Sequence, residues 1–271
     1  MNATAAAQPL LSLKGVSKAF GANQALAGVD FEVDAGEVVA LVGDNGAGKS
    51  TLIKAIAGVQ PADEGTFSFR GQPVKINTPQ DAVELGIATV YQDLAVCDNL
   101  DVVNNLYLGH ELFGKGLARA AYFIDETAME QSTLRLLDSL AVTTIKDVRT
   151  PVASLSGGQR QAVAIARSLI GEPSVVLLDE PTAALGVAQT GQVLNLIHTL
   201  RERGLGVVVI SHNLENVFAV ADRIVVLRLG RRVATFDVRG ASHEDVVAAI
   251  TGAVFGAGTD EFLAGGSVKD A

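Results

Sequence analysis

The sequence predicts an α/β fold with a mainly parallel core sheet, and three observations predict it. Short, nearly continuous apolar runs of strand length recur along the chain, separated by amphipathic stretches of helical length. One apolar run opens onto a glycine-rich turn that ends in Lys49. Another ends in the adjacent carboxylates Asp179 and Glu180. Uninterrupted apolar strands are those covered on both faces, the usual situation of parallel strands packed between helices.

Taken in order, residues 1–9 read as a flexible leader, with no cationic, apolar signal sequence. Residues 11–20 and 27–33 are expected as antiparallel strands, and residues 38–42 as a buried strand. Leu52, Ile53, Ile56 and Ala57 then follow helical spacing until Gly58 stops them. Residues 88–91 form another strand. From about residue 94 strand signals fade, and helical patterns at 102–108 and 125–140 mark an inserted helical subdomain, placed at about 94–162. Ala162, Ile165, Ala166 and Leu169 give the next helix one apolar face. A strand ending at Leu178, a helix over 189–203, a strand over 207–210 and a helix over 214–221 complete the core. Residues 224–229 and 232–237 form a hairpin across Gly230 and Arg231. Ser242 with Asp245 caps a last helix over 244–251. Residues 10–252 are thus expected as one domain without internal repeat, and residues 253–271, rich in Gly and Ala, as a flexible tail.

Gly43-Asp44-Asn45-Gly46-Ala47-Gly48-Lys49-Ser50-Thr51 matches the phosphate-loop pattern, in the strand–turn–helix context that the motif requires. Its glycines let backbone N–H groups wrap an anion, and the helix N-terminus points at it. Lys49 is placed to reach the β- and γ-phosphates of a nucleotide, and the Ser50 hydroxyl to ligate Mg²⁺. Asp179, at a strand tip, suits Mg²⁺ or its water shell. Glu180 suits the orientation or deprotonation of an attacking water. A second anion-seeking terminus lies at Leu155-Ser156-Gly157-Gly158-Gln159, where Ser156 can cap a helix whose first turn holds two glycines.

With these residues assembled, the sequence resembles the nucleotide-binding subunit of an ATP-binding-cassette (ABC) transporter over roughly residues 10–252, its motifs in the family's order. The resemblance implies a P-loop NTPase core of the ABC type, with an N-terminal antiparallel β subdomain and the inserted helical one. It implies that Ser156, Gly157, Gly158 and Gln159 bind the γ-phosphate of ATP held by a second copy of the subunit. Phe20 stands where the family stacks an aromatic on adenine. Gln92 stands where a glutamine reaches Mg²⁺ and water, and His212 where a histidine contacts the γ-phosphate. Gly186 departs from the pattern, because an aspartate that contacts the opposite subunit is usual there. The run from Pro181 to Val187, Ser211-His212-Asn213-Leu214 and the stretch from Ala221 to Gly230 resemble ATPases of the simple-sugar import group.

The implied partners are a second ATPase subunit, transmembrane permease subunits and, indirectly, an extracytoplasmic sugar-binding protein. Leu94, Val96, Leu100, Val102, Val103, Leu106, Tyr107 and Leu108 fall in the segment where the family docks its permease, although core packing explains many of them equally well. The implied location is cytoplasmic, peripheral on the membrane through the permease. Soluble ABC ATPases of DNA repair or translation, and a weakly hydrolytic regulatory module, are the competing readings.

Composition bears on these alternatives. Thirty acidic residues against 21 basic ones give a net charge of −9, which opposes sequence-independent binding to nucleic acid. No apolar run approaches the ~20 residues that span a bilayer. Cys97 is the only cysteine, so neither an internal disulfide nor a cysteine-based metal cluster is available.

Overall fold

The computed structural model describes residues 8–114 and 122–253. Most of the expected leader and nearly all of the expected tail therefore lie outside the described residues. Two sheets organise the rest. The first is antiparallel, with strand order β2-β1-β4-β5. It comprises β1 (Leu11–Phe20), β2 (Asn23–Val33), β4 (Glu64–Phe69) and β5 (Gln72–Val74). The second has six strands in the order β10-β9-β3-β8-β7-β6. These are β3 (Val38–Val42), β6 (Ile87–Val90), β7 (Val175–Asp179), β8 (Gly206–Ile210), β9 (Arg223–Arg228) and β10 (Arg231–Asp237). From β9 to β6 every neighbouring pair is parallel, and β10 closes one edge antiparallel to β9.

The central strands show why continuous apolar runs were needed. Val176 and Leu178 of β7 enter one core cluster, and Val175 and Leu177 enter another, as the twofold alternation of a strand requires. The first cluster packs helices α3 (Val102–Tyr107), α4 (Glu126–Ser139), α5 (Gly157–Ser168) and α6 (Val187–Glu202). The second joins the antiparallel sheet and α1 (Lys49–Ile56) to the opposite face. A third, smaller cluster lies under α7 (Leu214–Val220), β10 and α8 (His243–Thr251).

Several boundaries differ from those expected. β2 starts at Asn23, four residues before position 27, because its outer end pairs with β1 across the two-residue turn at Gly21 and Ala22. β4, β5 and α2 (Pro79–Glu84) had no counterpart in the sequence reading. β4 mixes glycine, glutamate and serine with its two phenylalanines, and β5 is three residues long, so neither shows a clear period. α2 is a single capped turn and a half, in which the Thr78 side chain and Asp81 close a reciprocal capping box. In the segment expected to dock a partner, core packing takes four of the eight apolar residues. Val102, Val103, Leu106 and Tyr107 are buried inside the chain's own core, leaving Leu94, Val96, Leu100 and Leu108 nearer the surface. Among the described residues no helix is long and apolar enough to cross a membrane.

Because β6, β7, β8 and β3 are parallel neighbours, their carboxyl ends share one edge of the sheet. Gly43, Gln92, Asp179 and His212 each lie at or just beyond one of those ends. This is the edge at which open α/β sheets bind ligands.

Candidate functional site

The phosphate loop is shaped by backbone demands that only glycine meets. Gly48, the N-cap of α1, adopts φ 105°, and a Cβ there would lie 2.7 Å from the Ala25 carbonyl oxygen. Gly43 adopts φ 150°, and its Cβ would strike the Leu227 carbonyl oxygen. The loop is thus pressed against both the antiparallel sheet and the end of β9. The Gly230 N–H donates to the Ala47 carbonyl at 3.0 Å, which holds that position. Lys49 Nζ bends over the loop and donates to the carbonyls of Gly43 (2.7 Å) and Asp44 (3.0 Å). Burial pushes the Lys49 ammonium down from its ordinary value, while the nearby charges of Glu180, Asp44 and Asp179 act in the opposite direction. Lys49, Ser50 and Thr51 fill the first turn of α1, where helical N–H groups have no intrahelical acceptor. Asp44, Asn45 and Gly46 form the exposed lip, and Ala47 is buried beneath them.

Asp179 ends β7 with its carboxyl held above the usual carboxylate range. Burial is the main cause and the Glu180 charge the second, with Lys49 and Lys54 pulling it back. Tyr91 follows β6 next to it, and its phenol is pushed up mainly by burial and partly by the Asp179 charge. Gln92, one residue further, is exposed at the same edge. Among the described residues no three His, Cys, Asp or Glu side chains converge as a metal-binding group. The available donors are the carboxylate of Asp179, the hydroxyl of Ser50 and the amide of Gln92. This sparse, all-oxygen set fits Mg²⁺, which retains waters and takes its remaining ligands from substrate phosphates.

Glu180 leaves the strand in the left-handed region at φ 51°, a conformation uncommon outside glycine. Its direction is therefore set by this turn and not by strand alternation. The turn is secured on both sides, with the Glu180 N–H donating to the Ile210 carbonyl (3.0 Å) and the Ala183 N–H to the Glu180 carbonyl (3.1 Å). The side chain meets His212 beyond β8, with His212 Nδ1 at 2.8 Å from Glu180 Oε1. A further bond steadies the pair's surroundings. Asn216 Nδ2 on α7 donates to Thr182 Oγ1 at 3.0 Å, tying α7 to the turn after Glu180.

Ser156 caps α5 in a reciprocal box with Gln159, as its sequence position predicts. The Gln159 amide also donates to the Thr144 carbonyl at 2.7 Å, so this side chain is already engaged within the chain. Gly157 and Gly158 occupy the next two helical positions, whose N–H groups the helix itself leaves without acceptors. Among the described residues no hydrogen bond joins this turn to the Gly43–Thr51 loop. The structure brings Lys49, Asp179, Glu180, His212 and Gln92 to one edge and leaves Ser156–Gln159 on the helical part of the molecule. Phe20 ends β1 with 45% of its surface exposed, a large ring open to a ligand. Gly186 is the N-cap of α6, and a Cβ added there would meet nothing within 4 Å.

Sequence reasoning missed Gln189, whose side chain lies against the position a Cβ on Gly158 would take, at 3.0 Å. It also missed Tyr91 and Lys54 as electrostatic neighbours of Asp179. For Tyr91 the signal was available, because it directly precedes Gln92 at a strand end. For Gln189 it was not, since the contact joins α5 and α6.

Residues 26–183 match the family model described as ABC transporter. The fructose import ATP-binding protein FrcA of Rhizobium meliloti is 44% identical over 92% of this chain and 96% of its own length. The xylose/arabinose import ATP-binding protein XylG of Sulfolobus acidocaldarius is 47% identical over 82% of this chain and 86% of its own. Among solved structures, a dimeric ATP-binding cassette in a post-hydrolysis state with ADP and Pi bound superposes with a TM-score of 0.68. It is 26% identical, covering 85% of this chain and all of that one. With the phosphate loop, the carboxylate-ended strand and the capped Ser-Gly-Gly turn each in place, the chain belongs to the ABC transporter family and carries its ATP-hydrolysing domain.

Proposed function

We propose that the protein is the ATP-hydrolysing subunit of a monosaccharide importer and drives uptake through a separate permease. The observation that carries the hydrolytic part is the convergence of Lys49, Asp179 and the Glu180–His212 pair at one sheet edge. The import part rests on the likeness to the fructose and xylose/arabinose import proteins.

Residues 10–252 act in this reading as one cassette, with about 94–162 as its helical subdomain. The loop from Gly43 to Thr51 cradles the phosphates of ATP, and Lys49 exchanges its carbonyl partners for phosphate oxygens. Each charge-assisted hydrogen bond of this kind contributes roughly 1.5–3 kcal/mol. Phe20 stacks on the adenine. Mg²⁺, held by Ser50, Asp179 and Gln92, would offset negative charge on the β- and γ-phosphates. Glu180 orients the attacking water and accepts its proton, and His212 supports both that carboxylate and the γ-phosphoryl group.

Ser156, Gly157, Gly158 and Gln159 serve the nucleotide of a second copy. Two observations support this: among the described residues the turn has no bond to its own phosphate loop, and the related cassette structure is dimeric. ATP then joins the two copies, and hydrolysis lets them part. A groove of about 470 Å³ lies between α2, the residues after Gln92 and the outer part of α5, lined among others by Val83, Tyr91, Leu94 and Arg167. It sits beside Gln92 and suits the permease, which would hold this subunit against the inner face of the membrane. The sugar itself is selected by the permease and an external binding protein.

Removing this chain from cells that grow on the transported sugar, then restoring either the wild type or Glu180→Gln, tests the reading. Uptake should return with the wild type only. Uptake that persists without the chain, or that returns with Glu180→Gln, overturns it.

A further inference from the structure

The exposed ring of Phe20 would be free to turn if nothing restrained it, yet a charged clamp stands on one side. Lys18 lies two residues earlier on the same strand, and the period of a strand places it on the same face. Its Nζ stands 5.7 Å from the centroid of the Phe20 ring, within the range of a cation–π contact. The ammonium is itself fixed. It donates to Asp63 Oδ1 at 2.7 Å, and the other carboxylate oxygen, Oδ2, accepts from the Ala19 N–H at 2.8 Å. The Asp63 N–H in turn donates to the Ser17 carbonyl at 2.9 Å. Lys18 keeps only 16% of its side chain exposed, so its charge is held close to the ring.

Asp63 makes this more than a local contact. It belongs to the connection between α1 and β4, a few residues beyond the helix that begins with Lys49. Three hydrogen bonds between residues 17–19 and Asp63 thus fasten the end of β1 to the continuation of the phosphate-loop helix. The loop that grips phosphates and the ring that faces the base share one frame.

We propose that Lys18 and Asp63 are positioning residues for base recognition: they close one face of Phe20 and present the other to the adenine at a set distance from the phosphate loop. This rests on the stacking role proposed for Phe20. Neither residue touches the nucleotide; Lys18 acts through the ring, and Asp63 through Lys18 and the Ala19 backbone.

The test measures binding of ATP and of inorganic triphosphate, which has no base, to the purified full chain and to Phe20→Ala, Lys18→Met, Asp63→Asn and the Lys18→Met/Phe20→Ala double variant. Thermal melting confirms that each is folded. Phe20→Ala should weaken ATP by at least about 5-fold, the lower end of base–aromatic stacking. Lys18→Met should weaken ATP by about 2- to 5-fold, the loss expected for an exposed cation–π contact, and leave triphosphate unchanged. Asp63→Asn should follow Lys18→Met. In the Phe20→Ala background Lys18→Met should add nothing. The proposal is overturned if Lys18→Met weakens ATP and triphosphate equally, if its effect persists without Phe20, or if ATP affinity is unchanged while Phe20→Ala still loses it. If Phe20→Ala itself leaves ATP affinity intact, the stacking role fails and the clamp's role fails with it.

Discussion

His212 Nδ1 lies 2.8 Å from Glu180 Oε1, and this contact spans the ends of two neighbouring parallel strands, β7 and β8. Glu180 is held in a left-handed turn with 13% of its side chain exposed, whereas the His212 side chain is 74% exposed. The carboxylate is the buried partner and the imidazole the exposed one.

Glu180→Gln should keep the fold and ATP binding while lowering turnover by about 10²- to 10⁴-fold, the range supplied by a positioned general base. Phosphate release gives the rate, and light scattering in Mg-ATP should show accumulated dimer. Wild-type turnover in this variant removes Glu180 from the base role.

Lys49→Ala should reduce ATP affinity by more than about 100-fold, because several charge-assisted bonds of roughly 1.5–3 kcal/mol are lost together. Calorimetric titration with ATP checks this. Gly48→Ala should act differently, lowering thermal stability as well, since its φ of 105° and the nearby Ala25 carbonyl leave no room for Cβ.

Asp179→Asn should separate stability from function. Burial and Glu180 both oppose ionisation of Asp179, so removing its charge should raise the melting temperature of the nucleotide-free protein. The same change should abolish Mg-dependent hydrolysis. A lower melting temperature would show that the carboxylate stabilises the empty site.

Gly186→Asp should be tolerated. The position is an open helix N-cap, where aspartate is favoured over glycine by a few tenths of a kcal/mol. An unchanged or slightly higher melting temperature is expected. Hydrolysis rates of the two forms then report directly what the missing carboxylate contributes.

Asp81 gives a pH-dependent contribution to stability. Backbone N–H groups of Asn77 and Thr78 hold its carboxyl below the ordinary range. A depressed folded-state value means that the contribution is present above the unfolded value of about 3.9 and is lost as pH falls through the folded one. Asp81→Ala should therefore lower the melting temperature at pH 7, and the gap should close in strong acid.

Much of the site was legible because its parts are local. The loop from Gly43 to Thr51 and the Ser156–Gln159 cap each need only a strand or helix boundary and the right side chains within a few residues. Glu180 was identifiable as a residue, but its direction was not, since the left-handed turn that aims it depends on a bond to Ile210 of another strand. Val102, Val103, Leu106 and Tyr107 were ambiguous for a related reason. An apolar helical stripe looks the same whether it meets its own core or a partner, and here α4 and α5 cover it. The Lys18–Asp63 clamp left no trace in the sequence, because its members are 45 residues apart and each is an ordinary surface charge alone.

The sequence by itself determined the fold class, the phosphate loop, the carboxylate-ended strand and the capped turn, because hydrophobic period, glycine placement and capping act over a few residues. Tertiary structure alone decided which of these parts share an edge. Strand order places β7 between β6 and β8, and so brings Glu180 to His212 and Asp179 beside Tyr91. It also leaves the Ser156 turn on the helical part, where among the described residues no bond joins it to its own phosphate loop. Such pairings depend on how separate elements pack around a common core, and no local stretch of chain encodes that order.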